Sequence, residues 1–184
     1  QGIQDMRNIK LVVEYDGTNY SGWQRQKNAL TVQEAIETAL GQLFQTIVSV
    51  NGAGRTDAGV HARAQVANFR ISTHLTPDEI RGGLNGLLPE DIVIHAVGEA
   101  PPEMHARFSA RQRTYSYLIT RAPSALMRKY SWHVRYQLDV GAMKNAAAAI
   151  TGTHDFESFC KANSDVGHHR CTVSSASWKE EGDL

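Results

Sequence analysis

Ile47-Val48-Ser49-Val50-Asn51-Gly52-Ala53-Gly54-Arg55-Thr56-Asp57-Ala58-Gly59-Val60-His61 is the stretch on which the fold turns. An apolar β-like run, Ile47 to Val50, leads in, and a second, Gln65 to Ile71, leads out. Asn51 to His61, set between them, holds three glycines, one arginine and one carboxylate. Glycine tolerates positive φ and lets backbone approach a ligand closely, so the spacing predicts a tight loop presenting Arg55 and Asp57 at the ends of two strands. Glycine and aspartate are also what an ordinary hairpin uses. Local chemistry alone leaves both a plain turn and a functional site open.

Working outward, Ile9 to Tyr15 alternates and β-branches like a strand, and Asp16-Gly17 supplies a turn. Thr31-Val32-Gln33-Glu34 has capping-box spacing, and Val32, Ile36, Ala39, Leu40 and Leu43 recur at helical intervals, predicting a helix to about Phe44. Downstream of Gln65 to Ser72, Thr76-Pro77-Asp78-Glu79 is a second capping box, with proline at the first helical position. Gly82, Gly83 and Gly86 are expected to keep that helix short, and Ile92 to Val97 reads as the next strand. The order from Ile9 to Val97 is β-α-β-β-α-β, the ferredoxin-like arrangement.

Pro101-Pro102 reads as a boundary. The expected organisation is therefore a ferredoxin-like subdomain over residues 6–100 carrying the glycine-rich loop, followed by a partial second α+β subdomain over 103–184. In that second part a strand is expected from Thr114 to Arg121, and a basic segment from Met127 to Tyr136. A helix capped by Asp139 should run to about Ile150 and close at Gly152, and Val173 to Trp178 alternates like a strand. Gln1 to Asp5 precede Met6 and are set aside from the fold argument.

Composition bounds the class. With 41% hydrophobic and 21% charged residues, the chain has the balance of a globular protein. No apolar run reaches the length of a membrane span and no signal-peptide pattern opens the chain, which points to the cytoplasm and away from membranes. Net charge is zero, which seems to argue against a polyanionic partner, yet the average hides a partition. From His105 to Tyr136 there are seven basic residues (Arg107, Arg111, Arg113, Arg121, Arg128, Lys129 and Arg135) and no acidic one. A basic segment on an acidic body is the electrostatic footprint of a nucleic-acid site.

The loop Thr18 to Gln26 mixes Tyr20 and Trp23 with amides and the cationic Arg25. Stacking surfaces beside a guanidinium suit nucleotides, although Trp23 fits a core position equally well. Cys160, His168, His169 and Cys171 could supply zinc ligands, but they lack the paired short spacings of such sites, and a polar loop is the expectation. Asp57 has no second carboxylate beside it, which argues against a two-carboxylate glycosidase or a calcium loop. His61 reads as a turn residue without an assigned role.

Three motifs together resemble the tRNA pseudouridine synthase A family. Gly54-Arg55-Thr56-Asp57-Ala58-Gly59-Val60-His61 matches that family's signature without interruption. Tyr15-Asp16-Gly17 to Tyr20, continuing through Gly22-Trp23-Gln24-Arg25-Gln26, is similar to its N-terminal motif, and His105 to Ala110 with Arg113 to Tyr117 resembles its third. The resemblance implies that Asp57 is the catalytic nucleophile and that Arg55 pairs with it. It further implies that Tyr115 stacks on the target base, with Tyr117 the neighbour easily confused with it, and that Arg25, Arg107, Arg111 and Arg113 contact RNA.

The implied reaction is isomerisation of uridine to pseudouridine at positions 38 to 40 of the tRNA anticodon stem-loop, with no metal and no cofactor. The implied assembly is a homodimer with a basic cleft across a mainly antiparallel sheet. An arginine next to Asp57 would favour its ionised form. Past Trp178 the resemblance implies further elements, so the expectation is a C-terminally truncated member whose first half folds but which shows little turnover by itself. Two other readings stay open: an RNA-binding module that binds tRNA without turnover, and an α+β protein with no RNA partner.

Overall fold

Strand β1, Arg7–Tyr15, occupies an interior position in a four-stranded sheet and hydrogen-bonds antiparallel to both neighbours. The structure is a computed structural model describing residues 5–160 and 169–181; Gln1 to Gln4, His168 and the tail from Gly182 lie outside the described residues. Within them the protein is a mixed α/β chain with three α-helices and mainly antiparallel pairing. It divides into two units, one ending at Ser116 and one beginning at Tyr117.

In the first unit β1 is followed by α1 (Val32–Phe44), β2 (Asn51–Gly52), β3 (Ala62–Ile71), α2 (Pro77–Leu87) and β4 (Ile92–Ala100), and the sheet order is β2-β3-β1-β4. Alternation along β1 sends Ile9, Leu11, Val13 and Tyr15 to one face, where they join Phe69 of β3 and Ile92 and Ile94 of β4 in one core. Val32, Ile36, Ala39 and Leu40 of α1 and Ile80 and Leu84 of α2 complete that core, so both helices cover the same face. Thr76 and Glu79 close a full reciprocal capping box on α2. Thr31 caps α1 through Glu34 N, while the Glu34 carboxylate lies 3.8 Å from Arg25.

One expectation changes here for a physical reason. The strand expected over Ile47 to Asn51 is reduced to Asn51–Gly52, because the backbone of Val50 is engaged by α1: its N–H donates to Glu37 Oε1 and its carbonyl accepts from Gln33 Nε2, each at 3.0 Å. Val48 and Val50 still enter the core, whereas Ile47 is exposed. The three glycines of α2 lie within its 11 residues. A β-carbon on Gly83 would stand 2.7 Å from Leu43 Cδ1, so its lack of a side chain lets α1 and α2 approach.

The other face of the sheet is covered by the chain after β4. Asn8 and Asn68, both buried, bond to each other at 2.8 Å. Asn8 Nδ2 donates to Pro101 O and Met104 O at 2.8 and 2.9 Å, and Asn68 Oδ1 accepts from Ala106 N at 2.9 Å. Residues beyond Pro101-Pro102 thereby remain with the first unit, carrying His105, Arg107 and Phe108 with them.

The second unit contains β5 (Ile119–Thr120) paired parallel with β6 (Trp132–His133), then α3 (Val140–Ile150), and β7 (Gly152–Asp155) paired antiparallel with β8 (Arg170–Val173). Asp139 caps α3 by accepting from Ala142 N at 2.8 Å, and Gly152 follows with φ +111°. The strand expected over Thr114 to Arg121 contracts to Ile119–Thr120, the only part to which the described residues supply a ladder partner. The strand expected from Val173 to Trp178 instead ends at Val173.

The Asn8–Asn68 pair makes a stability test. Asn68→Ala leaves the Ala106 N–H and the Asn8 Oδ1 without their partners in a buried site, so urea denaturation should show a loss of about 1–3 kcal/mol.

Candidate active site

The loop between β2 and β3 is held by groups outside it, almost residue by residue. Ala53 N donates to Val66 O at 2.8 Å, and Ala53 O accepts from Arg113 Nε at 3.1 Å. Gly54 O accepts from Gln65 Nε2 at 2.7 Å, and Thr56 O from Trp23 N at 3.0 Å. The Thr56 hydroxyl is 2.8 Å from that of Tyr15. Further on, Gly59 takes φ +79° and its N–H donates to Tyr20 O at 3.2 Å. The His61 Nδ1 lies 3.1 Å from Gly17 N and 3.0 Å from Asp16 Oδ1, closing the loop onto the turn after β1.

That turn approaches so closely because two of its residues lack a β-carbon. One added to Gly17 would stand 2.0 Å from Val60 O, and one added to Gly22 would stand 2.5 Å from Thr56 O. Gly22 also takes φ +88°, in the left-handed region.

Beside the loop, within the first unit, lies a cleft of about 500 Å³ whose lining includes Trp23, Gln33, Gly54, Arg55, His105, Arg107, Phe108, Arg113 and Tyr115. Trp23 is both a core residue, 2% exposed, and a wall of this cleft; its indole rests on Gly52, where a β-carbon would meet Nε1 at 2.4 Å. Phe108 and Tyr115, by contrast, are 76% and 66% exposed. The Arg107 guanidinium sits 5.5 Å from the Phe108 ring centroid, and the His105 and Phe108 rings are 4.6 Å apart. Aromatic faces interleaved with cations suit a nucleobase and its phosphate.

Of the residues singled out from sequence, Arg55, Arg107, Arg113 and Tyr115 converge on this cleft. Three do not. Arg25 is bound to α1, with Nη1 3.0 Å from Glu37 Oε2. Arg111 is exposed and off the lining, and among the described residues nothing accepts a hydrogen bond from it. Asp57 is exposed, stands outside the lining, and makes no ion pair with Arg55 among the described residues. Tyr117 belongs to the second unit. Among the described residues no three His, Cys, Asp or Glu side chains gather as a metal site; Cys160 and Cys171 are free and exposed.

Sequence reasoning missed the residues that position the loop. Gln65 carries no local signal, being one amide in a strand. Tyr15 reads as a core residue at the end of β1, and it is one, but its hydroxyl has a second task at Thr56. Burial pushes the Tyr15 hydroxyl above the usual tyrosine value, with its hydrogen bond to Thr56 acting in the other direction. The folded state therefore favours the neutral hydroxyl. Its contribution to stability is complete below the unfolded value near pH 10 and is lost as pH rises through the raised one.

The arrangement is an exposed carboxylate on a pinned loop beside a cleft of aromatic and cationic side chains. A family model described as tRNA pseudouridine synthase matches residues 11–109. The chain is 46% identical over 178 residues to the tRNA pseudouridine synthase A of Acetivibrio thermocellus, covering 96% of this chain and 73% of that relative. It is 45% identical over 174 residues to that of Pelodictyon phaeoclathratiforme, covering 94% and 72%. With the enzyme of the same name from Ruminiclostridium cellulolyticum it shares 51% identity over 156 residues, or 84% of this chain and 64% of the relative. The chain belongs to the tRNA pseudouridine synthase A family, a family of isomerases.

Tyr15→Phe tests the pinning. It keeps the ring and removes one hydrogen bond to Thr56, worth about 0.5–1.5 kcal/mol, so isomerase turnover should fall roughly 2- to 10-fold with the fold intact by circular dichroism.

Proposed function

We propose that this protein converts uridine to pseudouridine in tRNA, at positions 38 to 40 of the anticodon stem-loop, with Asp57 as the nucleophile. The observation that carries the reading is the loop itself. Arg55 and Asp57 are presented from a backbone held at Ala53, Gly54 and Thr56 by groups outside the loop, beside a cleft walled by Trp23, Phe108 and Tyr115. Pre-organisation of this kind matters for a carboxylate that must meet a reacting centre at a defined distance.

The target uridine is drawn out of the stem-loop, at a cost of a few kcal/mol offset by stacking and phosphate contacts. Tyr115 takes the base on its exposed ring and Arg107 holds the neighbouring phosphate. Arg111, with its guanidinium free of protein acceptors among the described residues, is a second phosphate contact. Arg25 and Arg113 have guanidinia already engaged by protein, which leaves the phosphate contacts to Arg107 and Arg111. Asp57 attacks the flipped nucleotide, the bond between N1 and the ribose breaks, the uracil turns, C5 forms the new bond to the ribose, and the bond to Asp57 breaks to return the free carboxylate. The C5 proton is lost and N1 gains one, so the reaction is an isomerisation needing neither metal nor cofactor.

The order β2-β3-β1-β4, with both helices on one face, supports a ferredoxin-like description of the first unit. A cytoplasmic homodimer, with a basic cleft carrying one tRNA across both subunits, completes the proposal. Among the described residues no helix is long and apolar enough to cross a membrane.

A second reading, tRNA binding without turnover, is favoured by one observation: Asp57 stands outside the cleft lining and has no ion pair to Arg55. Release of tritium from C5-labelled uridine in unmodified tRNA separates the two. Turnover that disappears in Asp57→Asn while tRNA binding survives is the expected result. An Asp57→Asn protein within about tenfold of the parent, equivalent to about 1.4 kcal/mol of barrier, removes the nucleophile assignment.

Tyr115 gives an independent check. Tyr115→Ala should cost turnover in line with a lost stacking surface of about 1–3 kcal/mol, and Tyr115→Phe should cost little. Equal and severe losses in both variants would transfer the role from the ring to the hydroxyl.

A further inference from the structure

Arg113 is unlike the other arginines of its segment. Its Nε and Nη2 both donate to Ala53 O, at 3.1 and 2.5 Å, and Nη2 also reaches Arg107 O at 3.4 Å. Ala53 leads directly into Gly54-Arg55. Arg107 lies on another segment of the lining, between His105 and Phe108. One side chain thus joins the backbones of two segments that line the cleft. A guanidinium offers its N–H groups in a rigid planar fork, so two acceptors bound to it have a set separation; a lysine ammonium on its flexible stem imposes no such geometry.

The neighbouring glycine belongs to the same device. A β-carbon on Gly54 would stand 3.1 Å from Arg113 Nε and 3.4 Å from Cδ, tighter than side chains ordinarily pack. Gly54 leaves room for the guanidinium to lie along the loop. Its own carbonyl is taken on another side by Gln65 Nε2 at 2.7 Å, so the peptides just before Arg55 are held from two directions. A guanidinium kept for phosphate would present its donors outward, as the exposed Arg111 can.

We propose that Arg113 is a positioning residue, one that sets the spacing between the loop carrying Arg55 and Asp57 and the wall carrying Arg107 and Phe108, in place of a phosphate contact. The effect on turnover rests on the uridine isomerisation proposed above. The effect on cleft geometry does not.

The test uses the chain as it stands, with Arg113→Lys, Arg113→Gln, Gly54→Ala, the Gly54→Ala/Arg113→Gln double variant, and Arg111→Gln for comparison. Three quantities are read: single-turnover tritium release from C5-labelled tRNA, the salt dependence of tRNA binding, and deuterium uptake over residues 51–61 and 105–109. Both Arg113 variants should lose about tenfold or more in rate while keeping the parent's slope of log K against log salt, whereas Arg111→Gln should lower that slope by about one. Gly54→Ala should slow turnover in the same way, and the double variant should be no worse than the worse single variant, because both changes break one contact. Uptake over both segments should rise in the Arg113 and Gly54 variants and stay at the parent level in Arg111→Gln.

A parent-like rate in Arg113→Lys, a salt slope lowered by about one in Arg113→Gln, or additive losses in the double variant would overturn the proposal. If the chain releases no tritium by itself, deuterium uptake alone decides: parent-like uptake over residues 51–61 in Arg113→Gln sinks the positioning role, and raised uptake upholds it.

Discussion

A glycine-rich loop cannot hold a reactive side chain still by itself, because its backbone carries peptide groups that form no ladder and little side-chain packing to restrain them. The site described above depends on how that constraint is met. The carbonyls of Ala53, Gly54 and Thr56 are each taken by a donor from a different part of the chain: Arg113, Gln65 and the backbone of Trp23. None of these donors is a neighbour in sequence. The order of the loop is therefore a property of the whole first unit, and the cleft is defined where β1, β3, the turn after β1 and the segment after β4 come together.

The same logic explains which parts of the molecule were legible in the sequence. Helix starts are local events, written in one residue and its partner three positions on, and Thr31, Thr76 and Asp139 all cap where their spacing says they should. Strand extent is not local. Val48 to Val50 has the composition of a strand, but two side chains of α1 take the Val50 backbone in place of a partner strand. Thr114 to Arg121 has the alternation of a strand, but only two of its residues meet a ladder among the described residues. A glycine's packing role is hidden for a related reason: α2 runs 11 residues with its three glycines inside it, and Gly83 serves the contact with Leu43, which lies in another helix.

At the site, residue types were legible and arrangements were not. Arg55, Arg107, Arg113 and Tyr115 line one cleft, while Arg25 is held by the carboxylates of α1. Whether an arginine faces solvent or a carbonyl depends on contacts made across long stretches of chain, which no motif records. The glycines of the N-terminal turn show this most plainly. Gly17 and Gly22 look like ordinary turn residues, but they stand where another loop's backbone passes within van der Waals distance.

The interior place of β1 also has a consequence for how the protein is made. β1 leaves the ribosome before both strands that flank it in the sheet, β3 and β4, which lie well downstream. At roughly 5 to 20 residues per second, the stretch separating β1 from the end of β3 takes roughly 3 to 12 s to synthesise. Through that interval Ile9, Leu11 and Val13 have no sheet to join, and both edges of the strand are open to any other extended chain nearby. The helix that emerges next, α1, shares a core with these residues and is the earliest element able to cover them. Its early cap at Thr31 thus bears on nascent-chain solubility as well as on the finished fold.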